Sequence, residues 1–198
     1  FTELYHRTKN NMQVIISILS LQSARMRDDS VKQVFKDTVG RIYSMSLVHN
    51  MLYRSQNLSR LHLDDYIREL APLILGNWPD TRDRISLDLD LGQVEVSIDE
   101  VMPCGLILNE LITNSLKYAF PRKAKGSIGI QLLRRGKGEI QIIYQDSGPG
   151  IPEFPGWENL SSLGLNLVRT LSEQQLHGTC SFTFQDGFMF SMSFVSRD

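Results

Sequence analysis

No apolar run in this chain of 198 residues approaches the ~20 residues that a membrane-spanning helix needs. No signal peptide is visible. Charge of one sign is also lacking. The chain has 21 Lys and Arg against 22 Asp and Glu, a net of −1, so no broad field is expected to draw nucleic acid or an acidic membrane. The basic run Arg122-Lys123-Ala124-Lys125 is short and lies between Pro121 and Gly126, which reads as a solvated loop. Cysteines number two. Cys104 and Cys180 have no metal-type spacing and read as free, reduced, partly buried thiols, which fits a cytoplasmic setting. Internal repeats and low-complexity tracts are absent. The chain opens at Phe1, already inside a helical pattern, so it reads as a fragment, and a membrane anchor is expected only in a segment upstream.

What is present is two textures. From Phe1 to about Arg27, Leu4, Met12, Ile15 and Leu19 recur at helical spacing, with Val14, Ile18 and Leu21 beside them. Asp28-Asp29-Ser30 reads as a break with an N-cap. A second periodic run follows through Val31, Phe35, Thr38, Ile42, Met45, Met51 and Leu52. Two helices cannot cover so wide a stripe by themselves. The expectation is a homodimer that pairs two hairpins into a four-helix bundle. Past about residue 60 short strands alternate with helices. A helix is expected over Leu61–Leu75, strands over 84–91 and 94–98, and a helix from Asp99 or Glu100 to Phe120. Strands follow over 127–133 and 139–145, then a helix over 163–176, then strands over 180–184 and 188–195. Hairpins dominate among the strands, so the fold class is α+β, with helices on one face of a mixed sheet. The domains are 1–60 and 61–198.

Three segments carry candidate chemistry. On the helix around Asn109, Glu110, Asn114 and Lys117 fall within about 60° of one another, opposite Leu108, Leu111, Ile112 and Ala119. A carboxylate and an amide oxygen one turn apart suit Mg²⁺, which takes hard oxygen ligands. Lys117 can meet a phosphate, and Tyr118 a ribose or base edge. The same row also suits an ordinary solvated helix face. Asp146-Ser147-Gly148-Pro149-Gly150 follows a strand. Its glycines allow close approach to a ligand, and Asp146 can accept from an exocyclic amine. It can equally be a plain loop. Ser161-Ser162-Leu163-Gly164-Leu165 opens a helix, where free N–H groups make either a phosphate seat or a serine cap.

In this order, the three segments resemble the N, G1 and G2 boxes of the ATP-binding fold shared by histidine kinases, gyrase and MutL. The resemblance implies ATP and Mg²⁺, with Asn114 on the metal and Glu110 near the metal and the γ-phosphate. Lys117 and Tyr118 would face phosphate and nucleotide, and Asp146 the adenine amine. Gly148, Gly150 and Gly164 would bracket the lid, and Leu163 and Thr179, the latter after Gly178, would belong to the nucleotide site. The opening helix narrows the family. Leu4-Tyr5-His6-Arg7-Thr8-Lys9-Asn10-Asn11-Met12-Gln13 is similar to the phosphoacceptor box of the histidine kinase branch that reads H-R-x-K-N. Leu47-Val48-His49-Asn50-Met51-Leu52-Tyr53 fits the same branch. By that match His6 is the phosphoacceptor, in keeping with an imidazole that is largely neutral at pH 7, its unperturbed pKa being ~6.5. Asn10, one turn below, can orient the incoming phosphoryl group, and Glu3, one turn above, can hold the other ring nitrogen. His49 reads as a bundle histidine. His62 and His177 lie beside turns.

The chain departs from the wider family at several points. Arg7 stands where better-known kinases have an acid after the histidine, which leaves Glu110 and Glu3 as candidate bases. Ser162 stands in the glycine position of the G2 box, and the segment from Gly150 to Ser162 is short, which implies a small lid. His177 replaces a glycine neighbour of Gly178, and Phe188 stands where a threonine is common. The implied function is ATP-dependent autophosphorylation on His6, with transfer to an aspartate in the receiver domain of a response regulator. The rivals are a non-catalytic phosphotransfer adaptor with a degenerate nucleotide site, and an ATPase or serine kinase on the same sandwich.

Overall fold

The computed structural model describes residues 2–55, 59–78, 81, 83–120, 125–150, 163–184 and 187–196, with side chains from residue 10 onward except that of Leu163. The calls on Ser161, Ser162, the lid and most of the basic run lie outside the described residues, as does the side chain of His6.

Helices α1 (Thr2–Arg25) and α2 (Asp29–Ser55) form the hairpin. Asp28 caps the second helix. Its carboxylate accepts from the Ser30 backbone N–H at 2.8 Å and from the Ser30 hydroxyl at 2.7 Å. These bonds hold the Asp28 carboxyl below its usual range. On α1 the apolar stripe stays largely uncovered: Val14, Ile15, Ile18 and Leu21 are 46–64% exposed. The second half of α2 behaves differently. Leu47, Val48, Met51 and Leu52 are buried in the same core as the rest of the chain, each worth roughly 1.5–3 kcal/mol of burial. The sequence pattern assigns all of α2's apolar face to the bundle. In the fold, part of it is spent on the following domain.

After α2 come β1 (Arg60–His62), α3 (Leu63–Gly76), β2 (Ile85–Leu91), β3 (Glu95–Ser97) and α4 (Ile98–Asn114). Strands β1 and β3 pair antiparallel, with Leu61 opposite Val96. A strand of three residues is too short to show a period of two, so it reads as the start of the helix. Tyr66 of α3 reaches α2, where its hydroxyl donates to the Ser44 carbonyl at 3.0 Å. Gly105 makes room for that ring, because a Cβ there would overlap the Tyr66 hydroxyl.

The main sheet adds β4 (Gly126–Arg134), β5 (Glu139–Asp146), β6 (Thr179–Thr183) and β7 (Phe188–Val195), with α5 (Leu163–Thr170) between β5 and β6. The strand order is β2-β4-β5-β7-β6. Only β2 and β4 run parallel. Ile128, Ile130, Ile142 and Phe190 from the sheet meet Ile107, Leu108, Leu111 and Val168 from the helices, all fully buried. The mixed sheet with helices on one face is the architecture the pattern implies. Among the described residues no helix is long and apolar enough to cross a membrane. Cys104 is buried, Cys180 half-buried, and both are free. Burial pushes both thiols above the usual range and keeps them protonated.

Helices α4 and α5 end alike. Each opens into a wider turn, at Ser115–Ala119 and Leu171–Gln175, where Phe120 N–H reaches Ser115 O at 3.1 Å and Leu176 N–H reaches Leu171 O at 3.0 Å. Such turns concentrate at functional sites. After the second of them His177 takes φ +51°, the left-handed position where glycine normally ends a helix. His177→Gly is therefore expected to stabilise the chain by about 1 kcal/mol and to raise Tm by roughly 2–4 °C in a thermal melt. An unchanged or lower Tm would show that the histidine has compensating contacts.

Candidate active site

The site is built around the C-terminal half of α4. Its residues 106–112 are all buried, so the helix is embedded on nearly every side and its polar groups must find partners. Glu110 is only 6% exposed. The N-terminus of α5 meets it: a Cβ added to Gly164 would stand 2.7 Å from Glu110 Oε2 and 3.6 Å from Asn114 Nδ2. That glycine lets α5 sit directly against the carboxylate and the amide.

One turn on, the end of β5 arrives. Ile140, Ile142, Tyr144 and Asp146 alternate onto the helix-facing side of the sheet, so Asp146 continues an apolar row and is 6% exposed. Three donors satisfy it. The Ser115 hydroxyl donates to Oδ2, while the Gly148 N–H at 2.9 Å and the Phe188 N–H at 3.4 Å donate to Oδ1. Tyr144 in turn donates to Ser115 Oγ at 2.7 Å, and complete burial pushes its phenol well above the usual range, so it keeps its proton. A carboxylate with two oxygens has about four acceptor positions. Three are used here, which leaves Oδ2 able to accept one more. Gly148 packs so tightly that a Cβ would overlap that of Ala119. Gly150 holds φ +68° and lies against the Phe184 carbonyl. Phe188 is edged by Tyr144, Phe182 and Phe184, with ring centroids 5.5–6.2 Å away, so an aromatic cluster occupies the position where the family resemblance leads one to look for threonine. Behind Asp146 a hollow of about 140 Å³ opens between Ser127, Gln145 and Met189. These residues face away from the helices, so it is not the α4 side of the carboxylate.

The polar row on α4 is not presented to solvent as its spacing suggests. Helix α2 covers it. Arg41 grips Glu110 through two bonds, Nε to Oε1 at 2.8 Å and an η nitrogen to Oε2 at 3.0 Å, which raises the pKa of the guanidinium further. Lys117 Nζ lies 2.7 Å from both oxygens of Asp37. Tyr118, by contrast, is 75% exposed.

One expected site residue, Thr179, is not brought in. Thr179 pairs with Ser193, and Ser193 with Gln141, so Thr179 lies five residues along the sheet from Asp146, about 17 Å at 3.4 Å per residue. It faces solvent at the edge strand and does not belong to this site. Its distance follows from the register, which a sequence pattern does not set. His6 and Asn10 lie on α1, and Asn10 is exposed.

Family models match in the same two parts. Residues 3–77 match the histidine kinase model HisKA_2, and residues 100–197 match the histidine kinase-, DNA gyrase B- and HSP90-like ATPase model. The chain belongs to the histidine kinase family. This histidine kinase chain is 31% identical over 179 residues to the sensor histidine kinase PdtaS of Mycobacterium tuberculosis, covering 89% of its own length and 35% of that protein. It is 27% identical over 177 residues to blue-light-activated histidine kinase 2 of Erythrobacter litoralis, covering 85% of its own length and 49% of that protein. The solved histidine kinase domain of the Erythrobacter litoralis EL346 kinase superposes with a TM-score of 0.72 at 25% identity, over 98% of this chain and 89% of that one. The chain thus spans about a third to a half of the length of these curated relatives.

Sequence reading missed Asp37, Arg41, Ser115 and Tyr144 in this kinase core. Ser115 follows Asn114 directly and carried a signal, a hydroxyl at the end of the polar row. Asp37 and Arg41 carried only their i, i+4 spacing, because their partners lie 80 and 69 residues away.

Proposed function

We propose that this kinase core transfers the γ-phosphoryl group of ATP to its own His6 and passes it on to an aspartate in the receiver domain of a response regulator. One observation carries the reading: Gly164 meets Glu110 and Asn114 on the last turns of α4, and Asp146 and Gly148 meet Ser115 and Ala119 in the wider turn that follows. The donor set fits the nucleotide. The free acceptor position on Asp146 suits an adenine amine, and Gly148 and Gly164 leave no side chain in the way. Among the described residues no three His, Cys, Asp or Glu side chains cluster as a metal site. Mg²⁺ bound with ATP needs only one or two protein oxygens, keeping phosphates and waters as the rest. Asn114 and Glu110 supply those, and the metal would neutralise charge on the phosphates. In this reading Lys117 and Tyr118 would face phosphate and nucleotide, and Gly150 and Leu163 would stand beside the lid.

In the transfer, a ring nitrogen of His6 forms a bond to the γ-phosphorus as the bond to the ADP oxygen breaks, and the imidazole loses its proton. Catalysis of this kind rests on positioning and charge neutralisation. Asn10 would orient the phosphoryl group, and Glu110 or Glu3 would take the proton. Residues 1 to about 60 carry the acceptor and residues about 61–198 the nucleotide. The uncovered stripe Val14, Ile15, Ile18, Leu21 on α1 supports a homodimer of hairpins, and light scattering at micromolar concentration checks it.

The direct test is incubation of the chain with Mg²⁺ and γ-labelled ATP. Acid-labile, base-stable phosphate on the protein is expected. Acid-stable label would point to a serine kinase, and absence of label with nucleotide bound would point to the adaptor. Asn114→Ala is expected to weaken binding of a Mg²⁺-bound ATP analogue about tenfold in calorimetry. An unchanged affinity would remove Asn114 from the metal.

A further inference from the structure

The triphosphate end of the proposed site is filled from within the chain. Along α2 the charges run minus at Asp37 and plus at Arg41, one turn apart. Along α4 and the wider turn after it they run minus at Glu110 and plus at Lys117. The two pairs lock with opposite signs facing. Both are substantially withdrawn from water, with side chains 23% and 7% exposed for Arg41 and Glu110, and 25% and 13% for Asp37 and Lys117. Between them, in mid-helix, sits Gly40. A Cβ there would stand 3.2 Å from Asn109 Oδ1. Glycine inside a helix is disfavoured against alanine, and here it lets the α2 backbone close onto α4 beside the Arg41–Glu110 pair.

The groups that α2 engages are those a magnesium triphosphate would engage: an ammonium for phosphate oxygens and a carboxylate for the metal. We infer that Asp37 and Arg41 form a latch that mimics the charge pattern of the magnesium triphosphate, Asp37 standing for a phosphate oxygen and Arg41 for the cation, and that nucleotide binding and hairpin docking compete for α4. The inference rests on the nucleotide reading above. Competition makes the two events reciprocal: a bound triphosphate frees α2, and a docked α2 lowers nucleotide affinity by the same factor. Charge repulsion reinforces it, because Asp37 lies within hydrogen-bond reach of the ammonium that a phosphate needs. Release of α2 frees the hairpin that carries His6, so the latch would make acceptor mobility conditional on a loaded site.

The test compares the parent chain with Asp37→Asn, which keeps shape and removes the charge. Calorimetry measures two probes, the Mg²⁺ complex of the non-hydrolysable analogue AMP-PNP and adenosine alone. Asp37→Asn is expected to bind Mg²⁺–AMP-PNP about tenfold more tightly and adenosine with unchanged affinity, since adenosine does not reach Lys117. Tighter triphosphate binding without a change for adenosine supports the latch. It is supported most strongly if only the variant binds the triphosphate. Unchanged or weaker triphosphate binding by the variant, with the parent binding normally, overturns the latch and leaves the nucleotide site standing. If neither protein binds the analogue, the nucleotide reading falls and takes the latch with it. Parallel gains for both probes overturn it as well, because they point to a loosened fold and not to a displaced anion.

Discussion

His6→Gln is expected to reduce labelling by γ-labelled ATP to background while leaving nucleotide affinity unchanged. The argument is chemical. Of the side chains on the opening turns of α1, an imidazole offers a ring nitrogen lone pair that is nucleophilic near neutral pH. A glutamine amide has similar reach and polarity, but its nitrogen lone pair is delocalised into the carbonyl. Glu110 is partnered from α2, Asp146 from Ser115, Gly148 and β7, and Gly164 of α5 lies against Glu110 and Asn114. Binding should therefore survive the substitution. Measuring label incorporation and calorimetric affinity on the same preparation separates the roles. Undiminished labelling would move the acceptor elsewhere, with His49 the first alternative on the hairpin.

Asp146→Asn is expected to weaken adenine nucleotide binding about a hundredfold and to destabilise the fold by roughly 1–3 kcal/mol. The carboxylate accepts from three donors, a hydroxyl and two backbone N–H groups, at a position continuous with the apolar row of β5. An asparagine keeps the shape and gives up one oxygen. Its NH₂ group must then face either the Ser115 hydroxyl or the two N–H groups. If it faces the backbone, Gly148 and Phe188 lose an acceptor in a place nearly closed to water. If it faces Ser115, the acceptor position left for an adenine amine disappears. Either orientation harms one function, and the variant divides its loss between stability and affinity. Thermal unfolding and titration with Mg²⁺–ADP check both. Wild-type affinity in a folded variant would show that Asp146 is structural and does not read the base.

Much of this was legible before any coordinates. The strand over 188–195 and the helices of the hairpin follow from periodicity, because a period of two or of 3.6 reports which side chains share a face. Asp146, Gly148 and Gly164 stood out as a carboxylate at a strand end and glycines at close passages; a plain loop or a capped helix carries the same residue types, and it is their order along the chain that sets them apart. Thr179 did not hold its place. Its neighbour Gly178 is a close-contact glycine, packed against the Ser193 carbonyl, yet the antiparallel register carries Thr179 to the far end of the sheet. Phe188, read from sequence as a lost threonine, proves to supply a backbone N–H to Asp146, a contribution that no side-chain identity could disclose.

The sequence by itself determined the local chemistry: which helix bears an acid, an amide and an amine in a row, where the backbone can pass close to a ligand, and where a histidine opens the hairpin. These depend on neighbours within two or three turns, which periodicity resolves. Only the tertiary structure decided which of those groups are occupied. That Arg41 and Lys117 form ion pairs across α2 and the end of α4 depends on contacts 69 and 80 positions apart, and half of α2 joins the sandwich core beside Tyr66, 22 positions from the Ser44 it bonds. Local spacing carries no record of such distances; they are set by how the whole core packs.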